Sequence, residues 1–227
     1  MIRAILFDKD GTLTDFRRTW TAAIGRHVHA IVAGTDVPPE AVADALGYDL
    51  AAGRIRDDAP VVTNALSQNA ALVEAATGIP GARVHRAMLA ERVEQVLAFD
   101  VPALFSALRA RGLRLGILTN AGTAGARHHL AEMGALDLVD AVIGADLHGP
   151  KPAPDGALAF SAALCLAPRE VLVVGDGMAD LDAARAAGMP AVAVLTGTRT
   201  RAALAPHALA VLERADELPA WLDGRAA

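Results

Sequence analysis

Apolar positions are distributed in two ways along the chain, and the two patterns occupy different stretches. Ile5-Leu6-Phe7 is a short continuous apolar run, which predicts a buried strand. From Asp15 to about residue 98 only helical spacing appears. Asp15 is a candidate cap for a helix with Phe16, Trp20, Ile24, Val28 and Ile31 on one face and Gly34 as its stop. Pro38-Pro39 opens a second helix with Val42 and Leu46. Residues 47–60 read as a loop. A third helix is predicted from Asn64 to Thr77 and a fourth from Ala82 to Leu97. From Pro102 short strands and helices alternate strictly. A helix over Pro102–Arg111 stops at Gly112. Strands are predicted over Leu113–Leu118, Ala141–Gly144, Val171–Val174 and Ala191–Leu195, with helices over Thr123–Met133, after Asp155 and over Met178–Ala187. Weaker segments run on to Trp221.

Continuous apolar strands alternating with helices predict an α/β fold, a doubly wound parallel sheet covered on both faces. The purely helical block does not belong to that alternation. The reading is therefore a core of residues 1–14 and 99–227 and an inserted all-helical domain of residues 15–98, its last helix left free to return to the core.

Composition narrows the class. Of the 227 residues 53% are hydrophobic and 21% charged, a globular balance. A net charge of -5 and 4% aromatic residues argue against a nucleic-acid partner. The single cysteine, Cys165, excludes an intramolecular disulfide and fits a reducing compartment; its apolar surroundings predict a buried place in a helix. No apolar run reaches bilayer-spanning length, so no membrane partner is expected. The start lacks a signal-peptide pattern, and the expected location is the cytoplasm. Oligomeric state leaves no mark on the pattern.

Polar residues then collect at one kind of place, the C-terminal ends of the strands. Asp8 and Asp10 follow the first, Thr119 and Asn120 the second, and Asp176 and Asp180 the strand over 171–174. Lys151 stands on a loop before a helix. In a doubly wound sheet such ends converge on one crevice. Asp8, Asp10 and Asp176 offer hard oxygen donors suited to Mg2+. Thr119, Asn120 and Lys151 offer polar donors and a point charge to a phosphate. A carboxylate nucleophile forming an aspartyl-phosphate is known chemistry.

Asp8-Lys9-Asp10-Gly11-Thr12, Thr119, Lys151 in a Lys-Pro-x-Pro context, and Gly175-Asp176-Gly177 with Asp180 resemble, in order, the motifs of the haloacid dehalogenase superfamily. The nearest likeness is to its phosphoglycolate-phosphatase-like members with a helical cap of the C1 type. The resemblance implies a Rossmann-like core and a Mg2+-dependent phosphatase acting on a small phosphorylated metabolite, the cap closing over the site. It implies Asp8 as nucleophile and Asp10 as acid, then base. It implies Mg2+ held by Asp8, the carbonyl of Asp10, and Asp176. Asp180 would hold a metal-bound water or brace Lys151, and Thr119 and Lys151 would bind phosphoryl oxygens. Asp10 separates phosphotransferases from the superfamily's dehalogenases, which typically lack an acid there. Lys9 is compatible because its side chain need not enter the site. A phosphoglucomutase-type phosphotransferase is the alternative within the family. A receiver-like phosphoacceptor module is the distant one, disfavoured by the helical insert and by Asp10.

Other charged residues have plainer readings. Arg54 and Arg56 stand beside Asp57 and Asp58, which would neutralise them as readily as a substrate would. Asp182 suits a helix dipole. His27 and His29 are two apart on a helix and do not share a face. His128, His129 and His148 receive no role.

Overall fold

The computed structural model describes residues 1–57 and 59–224; Asp58 lies outside them. The chain opens with β1 (Ala4–Phe7) and soon leaves the sheet for a separate unit, Phe16–Val96. Met1–Asp15 and Leu97–Ala227 make up the other unit.

The Phe16–Val96 unit contains α1 (Phe16–Val32), α2 (Pro39–Leu46), β2 (Tyr48–Asp49), β3 (Arg54–Ile55), α3 (Pro60–Thr63), α4 (Leu66–Thr77) and α5 (Gly81–Leu89). Ile24, Val28 and Ile31 recur at helical spacing on α1. They pack with Val42 and Leu46 of α2, Val73 of α4 and Val84 of α5 into one apolar cluster. His27 is buried and His29 exposed, as their spacing requires. The unit is not purely helical. β2 and β3 pair antiparallel, Tyr48 with Ile55 and Asp49 with Arg54. Two-residue strands are too short to show alternation. Their turn is held locally, Asp49 Oδ1 accepting the Ala52 N–H at 2.9 Å. The last helix ends at Leu89 rather than Leu97. Beyond it the chain is held by outside partners: Val96 N–H donates to Thr19 Oγ1 at 3.1 Å, and Thr14 and Leu97 form an antiparallel bridge. These contacts override a helical sequence pattern.

The other unit continues with α6 (Val101–Ala110), β4 (Arg114–Thr119), α7 (Thr123–Glu132), β5 (Ala141–Gly144), α8 (Ala145–His148), α9 (Asp155–Ala163), β6 (Val171–Gly175), α10 (Met178–Ala187), β7 (Ala191–Val194), α11 (Arg201–Leu204), β8 (Val211–Leu212) and α12 (Leu218–Asp223). Its described strands form one parallel sheet in the order β5-β4-β1-β6-β7-β8. Residue parity sorts the faces. Ile5, Phe7, Leu115, Ile117, Leu172, Val174, Val192 and Val194 meet α6, α7 and α12; Ala4, Leu6, Leu118, Val171, Val173, Ala191 and Ala193 meet α9, α10 and α11. Phe105 of α6 is fully buried with its ring 5.2 Å from that of Phe7. Truncating such a side chain to Ala costs about 3–5 kcal/mol.

From β1 the order runs to β4 and β5 on one side and to β6, β7 and β8 on the other. That reversal opens a crevice at the carboxyl ends of β1, β4 and β6. Cys165 departs from expectation. α9 ends at Ala163, and Cys165 lies exposed in a left-handed turn with φ 53°. Among the described residues no helix is long and apolar enough to cross a membrane.

Candidate active site

The first loop is built by its own backbone. Asp8 N–H still donates to Val174 O at 2.8 Å, so Asp8 is registered to β6. The chain then folds back, and the Lys9 carbonyl accepts the N–H groups of Leu13 at 2.9 Å and of Thr12 and Thr14 at 3.3 Å. Gly11 turns with φ +83°, and a Cβ there would fall 2.5 Å from Asp176 Oδ2. Thr12 Oγ1 donates to Asp176 Oδ1 at 3.2 Å. The loop after β7 locks this arrangement. Thr196 Oγ1 donates to the Gly11 carbonyl at 2.6 Å, and a Cβ on Gly197 would fall 1.8 Å from Asp176 Oδ2.

Lys151 joins the acids. Its Nζ lies 2.6 Å from both Asp8 Oδ1 and Asp180 Oδ1, and all three side chains are buried. Asp180 is fixed from behind, its Oδ2 accepting the Gly177 N–H at 3.0 Å. Lys151 is fixed by its backbone: its N–H donates to Asn120 Oδ1 at 2.7 Å, and Asn120 Nδ2 donates to its carbonyl at 3.2 Å. Burial opposes charge on Lys151, but the charges of Asp180 and Asp8 and their hydrogen bonds hold it above the usual lysine range. Burial pushes Asp8 up to about 6 against the pull of Lys151. Burial, then the charges of Asp8 and Asp180, push Asp176 well above the usual carboxylate range.

Asp8, Asp176 and Asp180 each offer a carboxylate oxygen, and these atoms lie within 4.8 Å of one another. Buried, mutually repelling hard oxygens suit a divalent cation such as Mg2+. The donor set fits that ion.

The family model of haloacid dehalogenase-like hydrolases matches residues 2–188. The chain belongs to that family. It is similar to the phosphoglycolate phosphatase of Yersinia pseudotuberculosis, 33% identical over 96% of this chain and 93% of that one. A 123-residue stretch is 38% identical to the phosphoglycolate phosphatase of Rhodospirillum rubrum, covering 53% of this chain and half the length of that relative. The fold is shared with CbbY from Rhodobacter sphaeroides, solved in complex with phosphate, at TM-score 0.71 and 22% identity over 96% of both chains.

Within this hydrolase, Asp8, Lys151, Asp176 and Asp180 come together as one cluster. Asp180, expected to hold a metal-bound water or to brace Lys151, contacts the Lys151 ammonium at 2.6 Å and also stands within the acid group. The Asp10 carboxylate does not: its Oδ1 is 2.6 Å from Lys9 Nζ. Thr119 is buried at the end of β4, where its Oγ1 accepts the Ala121 N–H at 3.2 Å. An accepting hydroxyl keeps its own O–H to donate. Asn120, expected on the phosphate, clasps the Lys151 backbone.

Thr196 and Gly197 lie outside every motif; Thr12 and Lys9 lie within the first one, which by itself assigns neither a partner. Of these only Lys9 carries a signal, because an ammonium between two acids at the end of a buried apolar run needs a partner. Arg54 and Arg56 have acidic partners, while Asp58, one of the two acids expected to neutralise them, lies outside the described residues. Arg56 Nη2 pairs with Asp44 Oδ1 at 2.5 Å, Arg54 Nε lies 3.6 Å from Asp49 Oδ2, and Asp57 pairs with Arg17. Asp182 pairs with Arg185.

Proposed function

We propose that this hydrolase is a Mg2+-dependent phosphatase that cleaves a small phosphomonoester through an aspartyl-phosphate on Asp8. The observation that carries the reading is the Lys151 ammonium held equally by Asp8 and Asp180 at the strand ends. A buried cation beside Asp8 supports the reading, because it would offset repulsion as an anionic substrate approaches. Asp8 Oδ1 is engaged by Lys151, and Oδ2 lies outside that pair. An Asp8 carboxylate oxygen attacks phosphorus, the bond from phosphorus to the ester oxygen breaks, and Asp10 gives its proton to the leaving alcohol. Asp10, now a carboxylate, takes a proton from water as the water oxygen attacks phosphorus. The bond from Asp8 to phosphorus breaks, and phosphate and free Asp8 result. Thr119 and Lys151 bind phosphoryl oxygens, with Asn120 holding Lys151 in place. Asp8, Asp176 and the Asp10 carbonyl would hold Mg2+, with Asp180 beside them. Bound there, the ion neutralises charge on the transferring group.

The unit Phe16–Val96 takes the part of the family's inserted cap in this reading. The names of the relatives make 2-phosphoglycolate the first substrate to test, against a panel of small sugar and alcohol phosphates. Phosphate release from p-nitrophenyl phosphate should require Mg2+. Asp8→Asn should lower it at least ~10³-fold without loss of fold, as removal of a covalent nucleophile does. Metal-independent release, or an active Asp8→Asn, would sink the assignment. Transfer to a sugar hydroxyl in preference to water would favour the mutase-type alternative.

A further inference from the structure

Lys9 is fully buried, and among the described residues its ammonium meets one carboxylate, that of Asp10, at 2.6 Å. A lysine is almost never buried so completely unless it is paired. Its partner is the adjacent residue, whose side chain keeps 19% of its exposure against 1% for Lys9. The pair therefore has a dry end and a wet end. A buried ion pair is a weak source of stability, since apolar side chains of similar volume serve as well or better. Its consequence here is geometric. A free Asp carboxylate turns about two side-chain bonds, and a short charge-assisted hydrogen bond restricts that rotation. With Oδ1 on Lys9, the Asp10 carboxyl group is restrained before any substrate arrives, and less conformational freedom is left to remove when the proton moves. The three N–H groups converging on the Lys9 carbonyl fix the backbone from which both side chains start.

We propose that Lys9 is a positioning residue for Asp10, its buried ammonium orienting the carboxylate that serves as acid and then base. This rests on the reading of Asp10 given above. Lys9 itself touches neither substrate nor the reacting atoms.

The test is a double-mutant cycle of Lys9→Met, Asp10→Asn and the double variant, with Lys9→Arg beside it, read by kinetics and by thermal unfolding. Lys9→Met should lower kcat about tenfold or more with KM within about twofold, and should add nothing in the Asp10→Asn background. Lys9→Arg, which keeps the charge, should recover most of kcat. In unfolding, Asp10→Asn strands a buried ammonium and should lower Tm on the order of 5 °C, and the double variant should regain it. Equal kcat losses in both backgrounds, or an unimpaired Lys9→Met, overturn the proposal. If Lys9→Met does not fold, Lys9→Gln carries the same cycle. A wild-type protein that releases no phosphate from any ester overturns the reading of Asp10 instead. The unfolding cycle is then still decisive for the pair, because additive Tm shifts would overturn it.

Discussion

Both units carry exposed acid–base pairs, and the sheet-bearing unit adds buried ones around Lys151. Lys151 and Asp180 meet with side chains each only 5% exposed, whereas Arg56 and Asp44 meet at 51% and 67%. The distances are alike, 2.6 and 2.5 Å. Geometry alone would rank the pairs as equals. Desolvation separates them, because water screens the second pair and is excluded from the first. Burial raises the proton affinities of Asp8 and Asp176, and in the proposed reading this cluster carries the chemistry.

Removing the charge at the centre of the buried cluster should have the largest effect. Lys151→Met would leave Asp8, Asp176 and Asp180 facing one another with no cation among them. Unpairing a buried charge costs about 3–5 kcal/mol, and the measurement is urea unfolding without metal. Saturating Mg2+ should restore part of the loss, because three crowded carboxylates then gain a counter-ion. A variant as stable as the parent would show that the cluster is screened by solvent after all.

The next test strikes the support of the first loop rather than its charges. Thr196→Val keeps the shape and removes the donor to the Gly11 carbonyl. A lost buried hydrogen bond costs about 1 kcal/mol, somewhat more where the carbonyl finds no other donor. Because the same loop carries Asp8 and Asp10, phosphate release should fall further than stability does. Thr196→Ser should recover both. Loss of stability with full turnover would reduce the contact to simple packing.

The legibility of the two regions follows the same physics. Parallel strands buried on both faces read as unbroken apolar runs, so β4, β5, β6 and β7 are visible within a residue or two. Asp8 and Asp176 are visible because they end or follow such runs, and Asp180 because it opens the helix after one. Lys151 is visible only through the motif around it, since a loop lysine carries no pattern of its own. Thr196 and Gly197 are not visible at all. Their role comes from a 2.6 Å approach across 185 positions of chain, and no local period encodes that. In the other unit, the β2–β3 hairpin is too short to alternate, and the stretch after Leu89 looks helical until Thr19 and Thr14 claim its backbone.

A smaller effect distinguishes the units by pH. His27 is buried with neither ring nitrogen hydrogen-bonded, and Glu91 Oε2 lies 3.5 Å from its Nε2. Burial lowers its proton affinity and outweighs the opposing charge of Glu91, while Arg26 adds to the lowering. A histidine depressed in the folded state gives stability that is complete above its unfolded pKa of about 6.5 and is lost as pH falls toward the folded value. Melting temperatures taken downward from pH 7.5 should therefore fall below about pH 6.5, and more steeply in the parent than in His27→Leu. Parallel curves would assign the loss to other groups.

Arg56→Ala should have the smallest effect, and that smallness is informative. The Arg56–Asp44 pair is as short as the buried ones and spans 12 positions. Its partners are more than half exposed, so solvent supplies most of what either loses. The expected change is within about 0.5 kcal/mol, reduced further in high salt. A loss near that of Lys151→Met would mean that the pair is shielded from water in solution and that exposure is a poor guide to which charges matter in this protein. A near-zero change, set beside a large one at Lys151, would establish burial rather than distance as the variable that separates a working charge from a solvated one.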